Sequence, residues 1–448
     1  MGNARINFLL AAFLFILALA IRIEYLSVVQ HDQPIRGDAV EYFSYAYNLY
    51  HLGIYSSTLP TSEKITPDAT RSPGYPLFIT PLFYGAESIS SFLNRVFLLQ
   101  AIIGGLTVVL SFFLFKLFFG YCVSAVFSLL IVFNPQLIAI GANLLSETLF
   151  TFLLIAAVLL HCIGLQRGSL LLWAAAGLMY GVSASVRPSA LFLGPFIVFI
   201  HCGYHYVYKH YLTHRQDWGI GLFLFCFVLM QVPFFVRNVI AIDTPLAEGD
   251  RAWGNFVLGS YPNFLHQGGT HVGYPRIDDP LFNEMVANKE LAVAVLFERI
   301  QAQPLTYLQW YTIGKLIAMW QWDMAPGGAK DVYVFPLKKY PFDEDKQLVK
   351  VRAVMKALSV PIQMLSVIGV IIVIRNMYKR EAQFLLWLVP LTVVFYYVLM
   401  LQVLFPIPRL TLPIRPLAYL FAAIGFSHGY EHVKRLWLSG RSNQVSNC

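Results

Sequence analysis

The chain has 448 residues, of which 57% are hydrophobic and 12% are charged, and its mean hydropathy is +0.61. Soluble domains carry about 25% charged and about 45–50% apolar residues, so this composition excludes a soluble globular protein and indicates a polytopic membrane protein. The formal charge of +8 does not indicate nucleic-acid binding, because the Lys and Arg residues are scattered in short loops between apolar segments, where the positive-inside bias places them.

Ten apolar segments have the length of membrane-spanning helices, and the predicted fold class is therefore an all-α polytopic membrane protein. They are 6–28, 93–115, 121–141, 144–165, 169–186, 189–207, 218–236, 354–374, 382–404 and 410–428. An even number of spans places both termini on one side, and basic residues such as Arg5, Lys116 and Arg167 make that side cytoplasmic. We expect the inner membrane of a bacterium.

Three long segments are predicted on the opposite, outer face, and loops of this length in compact proteins are usually functional. They are 29–92, 237–303 and 323–353. The apolar stretch 304–322 contains Lys315, so we expect an amphipathic helix in the outer interface rather than an eleventh span. The predicted organisation is a transmembrane module over 1–236, an outer loop over 237–353, and C-terminal helices with a basic tail over 354–448.

The first outer segment places a carboxylate, Asp38, just beyond the opening span. It begins an aromatic-rich segment, 36–53, which is predicted to be helical and to stop at Gly53. The commoner interpretation of such an aspartate is a helix N-cap. The other is an acid–base group at the membrane–water interface, and both can hold, because a cap position also fixes the direction of the carboxylate.

Further ionisable residues from distant parts of the chain are predicted on the same outer face. The arginines are Arg71, Arg187, Arg237 and Arg409. Glu147 lies at the outer end of an otherwise apolar predicted helix, and ionisable groups near the bilayer are functional candidates. Ordinary lipid headgroups could explain one such guanidinium, but together these residues predict a polar cavity that receives an anion. Arg415 lies either in that cavity or paired within the bundle.

Several of these residues belong to motifs that resemble those of the GT-C membrane glycosyltransferases. The motifs are Gly37-Asp38-Ala39-x-x-Tyr42, Arg71-x-Pro73-Gly74-Tyr75-Pro76, Leu145-Ser146-Glu147-Thr148, Arg187-Pro188-Ser189, Pro233 with Arg237-Asn238, and Arg409-x-x-x-Pro413. The chain is most similar to the protein mannosyltransferase-type branch, which includes the lipid A aminoarabinose transferase and lipopolysaccharide core transferases. The resemblance covers residues 1 to about 260 and the last spans.

The resemblance implies transfer of a hexose or pentose, with inversion, from a polyprenyl-phosphate donor to an extracytoplasmic lipid, glycan or protein. Asp38 matches the general base of the family, and Arg71 matches the basic residue that holds the leaving phosphate. The other predicted substrate- and phosphate-binding residues are Tyr75, Glu147, Arg187, Arg237, Asn238 and Arg409. Some members bind a divalent cation through an acid immediately before the basic residue. That position is Thr70 here, so a metal stays open and no cofactor is assigned.

A cavity lined by arginines would also suit a transporter or flippase for an anionic lipid-linked substrate, and a non-catalytic partner subunit is a third possibility. The sequence shows no internal repeat with matching broken helices, a feature of many transporters. Its polar motifs also gather on one predicted face. The expected partners are therefore the bilayer, a lipid-linked donor and an acceptor, and the sequence leaves the oligomeric state open.

Overall fold

The structure is a computed structural model of the chain. It describes residues 2–208, 214–242, 249–262, 275, 278–324, 331–377 and 384–445. The described residues form a helical bundle with one short two-stranded ladder, which confirms the predicted all-α polytopic fold. Parts of the predicted outer loop 237–353 lie outside the described residues.

The N-terminal helices of the bundle extend to Val186 and include the one that Asp38 begins. They are α1 (Gly2–Val28), α2 (Asp38–Leu52), α3 (Gly74–Ile79), α4 (Ile89–Lys116), α5 (Tyr121–Val132), α6 (Pro135–Ile140), α7 (Glu147–Arg167) and α8 (Leu170–Val186). The predicted span 121–141 is divided into α5 and α6. Pro135 takes the first position of α6, where its missing N–H is not needed, and the Asn134 side chain caps that helix by accepting from Leu137 N.

The C-terminal helices complete the bundle and its outer loops. They are α9 (Leu193–Tyr208), α10 (His214–Leu229), α11 (Val232–Ile242), α12 (Gly249–Gly259), α13 (Phe282–Ala287), α14 (Lys289–Ala302), α15 (Pro304–Gln309), α16 (Lys315–Met319), α17 (Pro341–Glu344), α18 (Lys346–Met377), α19 (Phe384–Val403) and α20 (Arg415–Val445). Shorter 3-10 turns occupy Thr80–Phe83, Pro188–Ala190 and Pro408–Ile414.

Seven helical segments of the described residues are long and apolar enough to cross a membrane. They coincide with seven of the ten predicted spans, and the other three predicted spans correspond to shorter apolar helices. The shorter helices are Tyr121–Val132, Leu170–Val186 and Pro188–Tyr204. The chain is therefore a multi-pass membrane protein.

The stretch 304–322 is helical from Pro304 to Met319, with a π-helical turn at Trp310–Gly314. The buried Lys315 ammonium donates to the carbonyl oxygens of Val403 and Leu404, at 3.3 and 2.9 Å, at the end of α19. Lys315 thus supplies hydrogen bonds to carbonyl oxygens at the C-terminus of α19, and the C-terminal end of a helix favours cations. The placement of this helix in the interface stays a prediction.

Two contacts join elements that are distant along the chain. Strand β1 (Gln30–His31) pairs antiparallel with β2 (Leu337–Lys339), which joins the first and third outer segments. Helices α18 and α20 approach closely at Gly369, where an added Cβ would lie only 1.9 Å from the carbonyl oxygen of Phe421. Small residues permit this approach of backbones in membrane bundles. The first half of α20 is thereby held against α18.

Candidate active site

Asp38 is the first residue of α2, and its carboxylate lies between two guanidiniums. Gly37 precedes it with φ +55° and occupies the N-cap position, and no side chain caps this helix end. The N-cap interpretation of Asp38 is therefore wrong, whereas the predicted stop at Gly53 is confirmed. Asp38 Oδ1 lies 2.6 Å from Arg71 Nη2, and Oδ2 lies 2.9 Å from Arg409 Nη2.

The two guanidiniums on Asp38 belong to a longer series of ion pairs, which we name the acid–arginine chain. It alternates four arginines with three acids in the order Arg251, Glu41, Arg71, Asp38, Arg409, Glu147 and Arg187. Arg251 lies 2.7 Å from Glu41 at one end, and Arg187 lies 3.0 Å from Glu147 at the other. With four cations against three anions, the seven side chains carry one excess positive charge.

The Asp38 carboxylate is partly exposed, and its side chain has 38% of its surface accessible. Burial tends to raise its pKa, but the charges of Arg409 and Arg71 outweigh this effect and hold the pKa well below the ordinary carboxyl range. Glu147 is fully buried at the first position of α7, as predicted for the outer end of an apolar helix. Its Oε2 accepts no hydrogen bond from any described residue.

A cavity of about 270 Å³ lies beside the acid–arginine chain. Three members of that chain, Arg71, Arg187 and Arg251, contribute to its wall. The aromatic side chains of Tyr42 and Tyr397 also line it. The Arg71 guanidinium lies 4.9 Å from the centroid of the Tyr42 ring, a cation–π contact that keeps the cation at the wall. The cavity therefore combines apolar surface with an excess of guanidinium groups, a combination that suits an anion carrying an apolar group.

Two predicted binding residues, Arg237 and Asn238, are directed elsewhere. Arg237 donates to the carbonyl oxygens of Asp68 and Tyr55 at 2.7 and 2.9 Å, and to Asn238 Oδ1 at 3.0 Å. Its guanidinium also lies 5.0 Å from the centroid of the Tyr55 ring. Neither residue lines the 270 Å³ cavity. The structure gives them a positioning role, because they join α11 to the loop that carries Arg71, and direct substrate contact stays a prediction.

Tyr75 is likewise buried behind the cavity rather than in its wall. Its hydroxyl donates to Gln100 Oε1 at 2.9 Å, and its ring packs against Tyr42 with centroids 4.9 Å apart. Gln100 in turn donates to the carbonyl oxygens of Gly141 and Asn143, both just before α7. Tyr75 therefore supports Tyr42 and the start of α7.

Three important residues were missed by the sequence analysis: Glu41, Arg251 and Asp68. Glu41 follows Asp38 by three positions, and this helical spacing could have indicated a shared face. The Asp68 carboxylate accepts from Ser57 N at 2.7 Å and also contacts the Tyr45 hydroxyl. Burial tends to raise the pKa of Asp68, but these hydrogen bonds lower it below the ordinary value. Arg251 carries no motif that could have identified it.

The side chains present do not fit a divalent cation. Such a cation needs several free oxygen ligands, usually including carboxylates. No three His, Cys, Asp or Glu side chains converge within the described part of the chain. Asp38 and Glu41 face guanidiniums, and the Thr70 hydroxyl donates to Asp68. No step proposed below uses a metal.

Comparison with known proteins finds relatives by structure alone. No protein-family model matches the sequence, and no curated protein matches it. The chain is similar to the archaeal oligosaccharyltransferase AglB from Archaeoglobus fulgidus, solved in complex with an inhibitory peptide and a dolichol-phosphate. The TM-score is 0.56 at 12% identity, over 97% of this chain and 52% of AglB.

The apo form of the Archaeoglobus fulgidus oligosaccharyltransferase gives a TM-score of 0.54 at 10% identity, with the same coverage of both chains. The chain thus spans about half the length of these relatives, and at this identity the similarity concerns the fold. AglB is a GT-C superfamily enzyme, so the predicted fold is confirmed, whereas membership of that superfamily and the branch within it stay predictions. The chain is a multi-pass membrane protein whose fold is similar to that of this archaeal oligosaccharyltransferase.

Proposed function

We propose that the protein is a membrane glycosyltransferase that moves a hexose or pentose from a polyprenyl-phosphate donor to an extracytoplasmic acceptor. The observation that carries this proposal is the pairing of Asp38 with Arg71 and Arg409 beside a cavity whose wall includes Arg71 and Arg187. A dolichol-phosphate in complex with AglB supports a lipid-phosphate ligand for this fold. We place the enzyme in a bacterial inner membrane, with the site on the periplasmic side.

The first step we propose is an exchange of anions on the arginines. Before the donor binds, Asp38 neutralises Arg71 and Arg409 and is itself held as a weak base, because the same two cations lower its pKa. The donor phosphate has the charge and oxygen geometry that guanidiniums bind bidentately. Its arrival draws Arg71 and Arg409 away from Asp38. The pKa of Asp38 then rises, since burial remains and the compensating charges are engaged elsewhere.

The second step is the transfer itself. The acceptor hydroxyl gives its proton to the freed Asp38 carboxylate while its oxygen forms a bond to the anomeric carbon. The bond between that carbon and the phosphate oxygen breaks, and the lipid phosphate departs with the bonding electrons. Because attack and departure occur on opposite faces, the configuration inverts. The arginines stabilise the growing negative charge on the phosphate, where fixed cations contribute most.

The test is transfer of radiolabelled sugar from a polyprenyl-phosphate-hexose or -pentose to cell-envelope acceptors, followed by mass spectrometry of the product. We expect Asp38→Asn to lower turnover by about 10³-fold, within the range for loss of a general base. Asp32→Asn is the matched control, because Asp32 lies in the same outer segment, is half exposed and makes only a 4.0 Å contact with Lys338. It should keep wild-type turnover.

Two results would overturn the proposal. Wild-type turnover by Asp38→Asn would show that Asp38 is not the general base. The variant must first be shown to fold by size-exclusion chromatography and by its melting temperature. Movement of the lipid-linked sugar across vesicles without any covalent change would instead identify a transporter.

A further inference from the structure

A second, larger cavity lies between α18, α19 and α20, and it has no part in the proposed transfer. Its volume is about 1170 Å³, which exceeds the roughly 300–1,000 Å³ of ordinary small-molecule sites. No described residue lines both this cavity and the one beside the acid–arginine chain. The lining residues Val360, Met364 and Val367 of α18 are each about 60% exposed on the outside of the bundle. The cavity therefore opens sideways, toward the bilayer.

One cation, Arg415, lies in the wall of this largely apolar cavity. The residue is only 9% exposed, and its Nε has no hydrogen-bond partner among the described residues. No described carboxylate lies within 4.0 Å of its guanidinium. It therefore does not join the acid–arginine chain, although Arg409 is only six positions earlier. A buried guanidinium without a counter-charge is costly in a membrane bundle and is a functional candidate for that reason.

Two more buried polar atoms without hydrogen-bond partners belong to residues that line the same cavity. Thr392 Oγ1 and Gln136 Oε1 both belong to its lining, and neither has a hydrogen-bond partner among the described residues. Thr392 is 2% exposed and Gln136 is completely buried. Buried polar atoms are normally hydrogen-bonded, so three exceptions in one cavity indicate a missing ligand. A guanidinium and a hydroxyl can both donate to an anion, and the amide oxygen can accept from a hydroxyl or a water beside it.

We propose that this cavity binds one anionic phospholipid of the surrounding bilayer, with the lipid phosphate on Arg415. Its acyl chains lie along the apolar walls that α18 and α19 provide. The charge complementarity selects an anionic headgroup, the lateral opening gives access from the bilayer, and the volume accommodates flexible chains. The site is separate from the donor site and holds the lipid as a bound component of the bundle, so the proposal does not depend on the glycosyltransferase activity.

The experiment is native mass spectrometry of the full-length protein, purified in detergent and incubated with phosphatidylglycerol. We expect one tightly retained lipid in the wild-type protein and at least ten-fold weaker retention in Arg415→Gln. The matched control is Arg375→Gln, which removes an exposed cation from the opposite end of α18 and should retain the lipid. Phosphatidylglycerol should also raise the melting temperature of the wild-type and Arg375→Gln proteins, but not that of Arg415→Gln.

A second variant tests the same proposal if Arg415→Gln does not fold. Val367→Trp places a large side chain at the exposed mouth of the cavity and leaves Arg415 intact, and it should also lose the bound lipid. Equal retention of phosphatidylglycerol by wild type and either variant would overturn the proposal. It would also be overturned if zwitterionic phosphatidylethanolamine, free polyprenyl phosphate or inorganic phosphate bound at Arg415 and phosphatidylglycerol did not.

Discussion

The small and the large cavity differ in whether their arginines are paired with carboxylates. Beside the small cavity, four arginines alternate with three acids, so every guanidinium already has an anionic neighbour. In the large cavity, Arg415 has no described carboxylate within 4.0 Å. A paired arginine is pre-positioned but must exchange its partner before it binds a ligand. An unpaired arginine has nothing to exchange, and its burial makes the ligand part of the folded state.

The difference shows how arginine can exchange one anionic partner for another in one place and retain a bound lipid in another. Under the proposed mechanism, a donor phosphate would compete with Asp38 for Arg71 and Arg409, so its binding would be reversible and coupled to release of the base. At Arg415 no such competition occurs, and a bound lipid would be held for long periods. The largest expected effect of a substitution is the loss of turnover in Asp38→Asn described above, and three further tests follow in order of decreasing effect.

The contrast between the two cavities would be contradicted most clearly if the acids of the acid–arginine chain contributed nothing to stability. Glu147→Gln removes the fully buried carboxylate that separates Arg409 from Arg187. Because Arg187 then loses its carboxylate partner and Arg409 keeps only Asp38, we expect a loss of about 3 kcal/mol in the free energy of unfolding, the low end for breaking a buried pair. Thermal unfolding in detergent measures it. The control Glu24→Gln changes an exposed acid of α1 and should unfold like wild type.

If a correctly inserted Glu147→Gln protein had the wild-type melting temperature, the acid–arginine chain would not contribute to the stability of the fold. Arg415→Gln gives the contrasting case, since removal of an unpaired cation should not destabilise the lipid-free protein.

Two parallel substitutions distinguish the role of Arg71, which lines the cavity, from that of Arg237, which binds the loop. Arg71→Ala should weaken donor binding by about 10- to 100-fold, because a charge-assisted bond to phosphate is worth about 1.5–3 kcal/mol. Arg237→Ala should instead lower the melting temperature, because its two bonds to loop carbonyl oxygens are lost. Donor affinity measured by titration and thermal unfolding distinguish the two. If Arg71→Ala kept its donor affinity, Arg187 or Arg409 would hold the phosphate instead.

The smallest expected effect is a pH dependence of stability in the outer loop. The folded-state pKa of Asp38 is lowered, chiefly by Arg409 and Arg71 against the opposing effect of burial, so its ion pairs stabilise the protein above the ordinary carboxyl pKa of about 3.9. That contribution is lost as the pH falls through the lower folded value. The melting temperature should therefore decline below about pH 4.

Asp38→Asn should show a shallower decline over the same pH range. The slope should not vanish, because Asp68 has a lowered pKa as well and contributes in the same direction. Identical pH profiles for wild type and Asp38→Asn would show that the ion pairs of Asp38 contribute no net stability.

The motifs identified most of the residues at the site but not their relations to one another. Asp38, Arg71, Glu147, Arg187 and Arg409 were all predicted on the outer face, and all five belong to the acid–arginine chain. Arg237 was predicted in the same way, yet its guanidinium binds loop carbonyl oxygens. A sequence places an arginine near the interface, but the local backbone decides which acceptor its side chain reaches.

The sequence by itself determined the membrane class and the helical fold. These properties depend on hydropathy and helix length, which are local along the chain. Only the tertiary structure decided that Glu41 and Arg251 extend the chain of ion pairs and that Arg415 lies in a separate cavity. Those outcomes depend on how distant helices pack, since a guanidinium finds its partner within a few ångströms in space, whatever the separation in sequence.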